Sequence, residues 1–193
     1  MGYNKRMKIV FAQGNPDKKY EKTRHNTGFM ALDILGEKYG AEWRAIDKYK
    51  GLISNIEING EKITLVKPLS YYNDTGLVAR QLIDYYKLNP AADFLVVHDD
   101  LALPLGTVRI RDKGSDAGNN GIKDLNQHLG GDYFRIRVGI WTDMRDKMDD
   151  VNFVLGVFSK EEKEKLDTDI FPHIVELIEK FANGKLETTS ATV

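Results

Sequence analysis

The chain has 193 residues, 28 of them Lys or Arg and 29 Asp or Glu; 41% are hydrophobic, none is cysteine, and the formal net charge is −1. The lack of cysteine excludes thiol nucleophiles, iron–sulfur clusters, zinc knuckles and disulfide frameworks, and the composition fits collagen, coiled-coil arrays and disordered tails badly. A single domain of this length is expected to bury roughly 70% of the surface its unfolded chain exposes, enough for a core without metal or disulfide staples.

No apolar run reaches the roughly 18 residues of a membrane span. The stretch MGYNKRMKIVFAQ at 1–13 has neither a long apolar region nor a small-residue cleavage site, so a cytoplasmic protein is expected. Charge is spread unevenly. Residues 1–50 carry 11 basic and 6 acidic side chains and residues 143–193 carry 7 and 12, a balance of +5 at one end and −5 at the other. A near-neutral total speaks against a generic nucleic-acid binder, but local field steers an anionic ligand. A phosphate-attracting patch and a plain solvated mixture of charges both remain open.

In chain order, Lys8 to Gln13 reads as a short buried strand stopped by the turn-forming Gly14-Asn15-Pro16-Asp17. Phe29, Leu32, Ile34, Leu35 and Tyr39 recur at helical spacing up to Gly40. Two β-rich runs, GLISNIEI and KITLVKP, flank Asn59-Gly60-Glu61, a strong hairpin signal. Thr75 to Leu88 reads as a helix, and Phe94 to His98 as a buried strand delivering His98-Asp99-Asp100 at its end. TVRIR at 107–111 alternates like a half-exposed strand, 113–121 reads as a loop, Ile122 to Leu129 as a helix and RIRVGIW as a further strand. Ser159 opens a capping box, followed to Phe181 by two acidic helical segments divided near Pro172. Strands alternating with helices, plus one hairpin, predict one α/β domain over 1–193 with an ordered core at about 8–183, its mixed central sheet flanked by helices as a three-layer sandwich.

Three loops concentrate side chains suited to chemistry. The first carries Asn15, Tyr20, Arg24, His25 and Asn26. Histidine is readily poised as a base near neutral pH, although His25 could equally satisfy the helix that follows. The second runs from Lys67 to Gly76, where Asn73 or Asp74 could simply cap the next helix. The third joins His98-Asp99-Asp100 to Gly118-Asn119-Asn120-Gly121, whose asparagines could cap a helix or hold a water and a substrate carbonyl.

Taken in order, these segments resemble the bacterial-type peptidyl-tRNA hydrolase family. GNPDKKYEKTRHNTG at 14–28 is similar to the family's Gly-Asn-Pro-Gly…Tyr…Thr-Arg-His-Asn-x-Gly, and KPLSYYNDTG at 67–76 to its Lys-Pro-x-x-(Tyr/Phe)-Met-Asn-x-Ser-Gly. HDDLALPLG at 98–106 and GNNGIKDLNQHLGGDYFRIRVGI at 118–140 match a third and a fourth signature, and VLGVFSKEE at 154–162 resembles the lead into its acidic C-terminal helices. The resemblance covers residues 8 to about 183.

The resemblance implies a cytoplasmic, monomeric, metal-independent esterase with no cofactor. Such an enzyme frees tRNA from peptidyl-tRNA and contacts both the acceptor stem and the nascent peptide. His25 would be the general base and Asp99 its orienting carboxylate. Asn15, Tyr20, Asn73, Asn119 and Asn120 would bind substrate, and Lys67, Arg111 and Arg137 would hold the tRNA. Asn119 stands where the family motif has histidine, Tyr72 where it has methionine and Asp17 where it has glycine. The loop 113–118 and WTDMRDK at 141–147 also depart from it. These departures predict retained hydrolysis with weakened or redirected substrate preference. Two other readings compete: a non-catalytic RNA-binding relative of the same fold, and a divalent-metal site at His98-Asp99-Asp100 with His25. A phosphate-binding loop at 114–121 lacks the Lys-(Ser/Thr) ending that chemistry requires.

Overall fold

The structure, a computed structural model, describes residues 7–193; the first six residues of the stretch read above for a signal segment lie outside the described residues. Eight strands form one mixed sheet: β1 (Lys8–Ala12), β2 (Arg44–Ile46), β3 (Gly51–Ile58), β4 (Glu61–Pro68), β5 (Phe94–Pro104), β6 (Thr107–Arg111), β7 (Phe134–Trp141) and β8 (Ser190–Thr192). Their spatial order is β2-β3-β4-β1-β5-β7-β6-β8. The centre is parallel, with β1 between β4 and β5 and β7 beyond β5; both flanks are antiparallel. The helices are α1 (Thr27–Tyr39), α2 (Gly76–Tyr86), the single turn α3 (Pro90–Asp93), α4 (Asn120–Leu129), α5 (Asp150–Val154), α6 (Lys160–Lys165) and α7 (Phe171–Ala182).

The three layers follow from side-chain alternation along the central strands. In β1, Val10 and Ala12 face a cluster built with Leu32 and Leu35 of α1 and with Ile174 and Ile178 of α7. Ile9 and Phe11 face the opposite cluster, which includes Val78 and Leu82 of α2 and Ile122 and Leu125 of α4. Helices on both faces leave no polar side to the strand, which is why the run reads as continuously apolar. The β3–β4 hairpin turns through Asn59 and Gly60, both left-handed at φ +51° and +82°, as a tight primed turn demands.

The structure departs from the sequence expectations in five places. First, β5 does not end at His98 but runs to Pro104, so Asp99 and Asp100 lie on the strand. Second, α6 and α7 are joined by a π-helical segment, Leu166–Ile170, that turns Leu166 and Ile170 into the core, and Pro172 follows directly after this change of helical hydrogen bonding. Third, a strand absent from the sequence expectations follows α7: Ser190–Thr192 pairs antiparallel with the otherwise open edge of β6. Fourth, α5 is too short to display a period, although Asp149 caps it by accepting from Asn152 N–H. Fifth, β2 has three exposed or half-buried residues and carries no apolar signal.

Candidate active site

A cleft of about 600 Å³ opens at the carboxyl ends of β1, β4 and β5, the usual ligand position of an open parallel sheet. Asn15 follows β1, Tyr72 and Asn73 lie on a one-turn 3-10 helix after β4, and Asp99 is held within β5 by pairing with Val138 of β7. His25 sits on the 3-10 turn Arg24–Asn26 that runs into α1. That turn is fastened from both sides. The Asn26 amide accepts from the backbone N–H of Asn15 at 2.8 Å and donates to the Asn15 carbonyl at 2.9 Å, clasping the two halves of the first motif.

Arg24 fastens the turn to the C-terminal part of the chain. Its backbone N–H donates to Gly156 O, and its guanidinium donates to Val157 O at 2.9 Å and to Glu162 Oε2 at 2.7 Å. It also lies over the Phe153 ring, 4.4 Å from the centroid. No neighbour in sequence signals this task for Arg24; its partners lie 133 and 138 residues away.

His25 Nδ1 lies 2.9 Å from Asp99 Oδ2. A carboxylate only accepts, so Nδ1 carries the proton and Nε2 presents its lone pair to the cleft. Burial opposes the Asp99 charge, but His25 and the Tyr72 hydroxyl outweigh it and hold the carboxyl below its ordinary range. Tyr72 donates to Asp99 Oδ1 at 2.7 Å, and the His25 and Tyr72 rings stack with centroids 3.5 Å apart. Asn15 Oδ1 is taken by the Tyr72 N–H at 2.9 Å, so the Asn15 Nδ2 is the group left to donate into the cleft.

The other expected residues divide in two. Tyr20, Asn73, Asn119 and Asn120 all line the cleft. Asn119 is also the N-cap of α4, its Oδ1 accepting from Ile122 N–H at 3.0 Å; Asn73 is exposed on its turn and makes no cap for α2. Lys67, Arg111 and Arg137 do not line it. Lys67 is 8% exposed, its ammonium paired with Asp33 of α1 and lying 4.3 Å from the centre of the Trp43 ring. The charge of Lys67 is therefore answered within the fold, by Asp33 and the Trp43 ring. Arg111 donates to Ile110 O, and Arg137 Nε donates to Asp100 Oδ2 at 2.6 Å. Cross-strand pairing sets Arg109 opposite Arg137 and Arg111 opposite Arg135, which puts four arginines on one face of β6 and β7. Arg135 is buried and donates to Ser115 O and Gly114 O, fixing the altered loop beside the cleft. The far wall is formed by Arg145, from the divergent stretch 141–147, by Val154 and Leu155, from the segment matched at 154–162, and by Asp150 and Val151, which sequence reasoning missed and which only the Asp149 cap could have marked.

The His98-Asp99-Asp100 metal reading does not survive the geometry. Both Asp99 oxygens are engaged, the Asp100 oxygens accept from Arg137 and the Ala102 N–H, and His98 turns Nδ1 to Asp99 O at 2.7 Å. Among the described residues no group of three or more His, Cys, Asp or Glu is placed to hold a metal.

His98 has a consequence for stability. Burial pulls its pKa down to about 4, against the charges of Asp100 and Asp99. An unfolded histidine protonates near 6.5. Between about 6.5 and 4 the unfolded chain therefore binds a proton that the folded one does not, and stability falls as pH drops through that window. In His98→Asn, which can keep a donor for Asp99 O, thermal melts are expected to show a shallower loss from pH 7 to 4.5, by roughly 2–3 kcal/mol at most. Parallel pH dependence in the two proteins would refute this.

Residues 9–193 match the family model for peptidyl-tRNA hydrolase. The chain is 41% identical over 184 residues to a peptidyl-tRNA hydrolase of Fusobacterium nucleatum, covering 95% of this chain and 90% of that one. It is 43% identical over 179 residues to that of Listeria welshimeri, covering 92% and 91%. The crystal structure of peptidyl-tRNA hydrolase from Acinetobacter baumannii superposes with a TM-score of 0.83 at 26% identity, over 96% of this chain and 93% of that one. Sequence, fold and cleft agree: the chain belongs to the peptidyl-tRNA hydrolase family.

Proposed function

We propose that the chain hydrolyses the ester joining a peptide to the 3′-terminal ribose of tRNA, the activity of its family, using a water activated by His25. The single observation that carries the mechanism is the 2.9 Å contact of His25 Nδ1 with the buried Asp99 carboxylate, which frees Nε2 toward the cleft. Nε2 takes a proton from water as the water oxygen bonds to the ester carbonyl carbon. The carbonyl oxygen gains the negative charge and receives a hydrogen bond from Asn15 Nδ2. Collapse breaks the bond to the ribose oxygen, which takes the proton back from His25, leaving peptide and tRNA. An ester leaving group is far better than an amide nitrogen, so a base and an oxyanion donor suffice, worth roughly 10²–10⁴-fold and 10²–10³-fold.

Asn73, Asn120 and Tyr20 bind the peptide end in this reading, while Asn119, its amide engaged by Ile122 N–H and the Tyr72 hydroxyl, shapes the wall behind them. Arg111 and Arg137, with Arg109 beside them on β6 and β7, meet acceptor-stem phosphates, contacts that position the RNA and carry no base sequence. The protein works as a monomer in the cytoplasm with no cofactor. No helix among the described residues is long and apolar enough to cross a membrane. The intact His25–Asp99 pair favours this over a non-catalytic RNA-binding relative.

The test is release of an N-blocked aminoacyl group from tRNA, with EDTA present and an unblocked aminoacyl-tRNA as control. EDTA-resistant turnover of the blocked substrate is expected, with the unblocked one much slower. Asn15→Asp keeps the acceptor for Tyr72 N–H and removes the donor, so kcat should fall by roughly 10²–10³-fold. Binding of the tRNA without any release would leave the RNA-binding relative as the correct reading.

A further inference from the structure

Tyr72 touches every part of the base machinery. It is 2% exposed, its ring lies flat on the His25 imidazole with 8° between the planes, and its hydroxyl sits between Asp99 Oδ1 at 2.7 Å and Asn119 Nδ2 at 3.0 Å. The direction of these bonds is fixed by elimination. Asn119 Oδ1 already accepts from Ile122 N–H as the cap of α4, so the amide faces the phenol with its N–H. A phenol that accepts from Asn119 has its proton left for the carboxylate. The α4 terminus comes close enough for this because residue 121 is glycine: a Cβ there would lie 2.5 Å from the Tyr72 ring.

We propose that Tyr72 is a positioning residue for hydrolysis: oriented by Asn119, its hydroxyl holds Asp99 Oδ1 so that Oδ2 faces His25 Nδ1, while its ring keeps the imidazole aimed at the cleft. The role presupposes the His25 mechanism above. It also joins two departures from the family motif, Tyr72 for methionine and Asn119 for histidine, into one hydrogen-bonded unit. A thioether has no proton to give Asp99. Burial, followed by the Asp99 charge, pushes the Tyr72 phenol well above its ordinary pKa, so it remains a donor at any working pH.

The test compares wild type, Tyr72→Phe, Asn119→Asp and the double variant by kcat, KM and pH profile on an N-blocked aminoacyl-tRNA. Tyr72→Phe keeps the stacked ring and loses the donor. Its kcat should fall roughly 10–100-fold, the worth of a hydrogen bond to a charged group, with KM within about twofold. The acid limb should move to higher pH, because a carboxylate that no longer shares its charge with a phenol favours the protonated His25–Asp99 pair. Asn119→Asp keeps the cap but offers the phenol a rival acceptor, so it should reproduce the loss without deleting any Tyr72 atom. The double variant should then lose little beyond Tyr72→Phe. Wild-type kcat and acid limb in Tyr72→Phe would overturn the inference, as would additive losses in the double variant. If Tyr72→Phe folds poorly, Asn119→Asp alone decides by the same kcat and pH criteria. If wild type released nothing, the mechanism itself would fall, and titration of the His25 ring protons by NMR would still judge Tyr72: identical curves in wild type and Tyr72→Phe would refute it.

Discussion

His25→Ala is expected to lower kcat by roughly 10²–10⁴-fold with KM little changed, since only the base is removed. Its companion Asp99→Asn should lose about 10³–10⁴-fold, for a different reason. Asparagine has one accepting oxygen where Asp99 has two, and both Asp99 oxygens are in use, one by His25 and one by Tyr72. With Oδ1 kept on the Tyr72 hydroxyl, the new amide N–H faces His25 Nδ1. The imidazole must then carry its proton on Nε2, where a base needs a lone pair. Equal kcat in wild type and either variant, on folded protein, would dismiss the mechanism.

Asp99→Asn should also change acid stability, with a definite sign. The Asp99 carboxyl is held below its ordinary value in the fold. A depressed carboxyl stabilises the native state above its unfolded pKa, about 3.9, and that contribution is lost as pH falls through the lower folded value. Wild type should therefore lose this increment below about pH 4, while Asp99→Asn, lacking it, shows a flatter acid limb there. This window lies under the one set by His98, so the two substitutions are separable in one series of melts.

The largest expected effect on stability belongs to Arg24. Its side chain and that of Glu162 are 6% and 13% exposed, so the pair is little screened by water. Arg24→Ala would remove two hydrogen bonds and the stacking on Phe153, and leave Glu162 short of its cation. Breaking a buried pair in this way costs about 3–5 kcal/mol. At about 2–4 °C per kcal/mol for a chain of this size, the melting temperature should fall by roughly 6–20 °C. Turnover should fall too, because the next residue is His25. Arg24→Lys should sit between, since an ammonium cannot fork across Val157 O and Glu162 as a guanidinium does. A melt displaced by only a degree or two in Arg24→Ala would show that the turn is held by Asn26 and Asn15 alone.

Much of the fold was legible because its signals are local. The β1 run, the Asn59-Gly60 hairpin and the Ser159 capping box are decided by residues within a few positions of one another. β8 and β2 escaped because neither stabilises itself: each is an edge recruited by a neighbouring strand. The limit of β5 escaped because polar Asp99 and Asp100 look like a loop, whereas β7 pairs with both and keeps them in the strand. In the site, motif order located His25, Asp99, Asn15, Asn73 and Asn120 at one cleft. It gave no sign that Lys67 pairs with Asp33, 34 residues away, and was silent on Arg24, whose partners lie 133 and 138 residues away.

By itself, then, the sequence determined the α/β class, the strand-end loops and the residue types able to act as base, carboxylate and amide donors, because turn chemistry and apolar alternation act between near neighbours. Only the tertiary structure decided which atom of each side chain is free. The His25 Nε2 faces the cleft because Asp99 has taken Nδ1, and the Asn15 Nδ2 is left to donate because Tyr72 N–H has taken Oδ1. Those partners arrive from strands and turns far along the chain, and a hydrogen-bonding group acquires its role only once its other valences are filled.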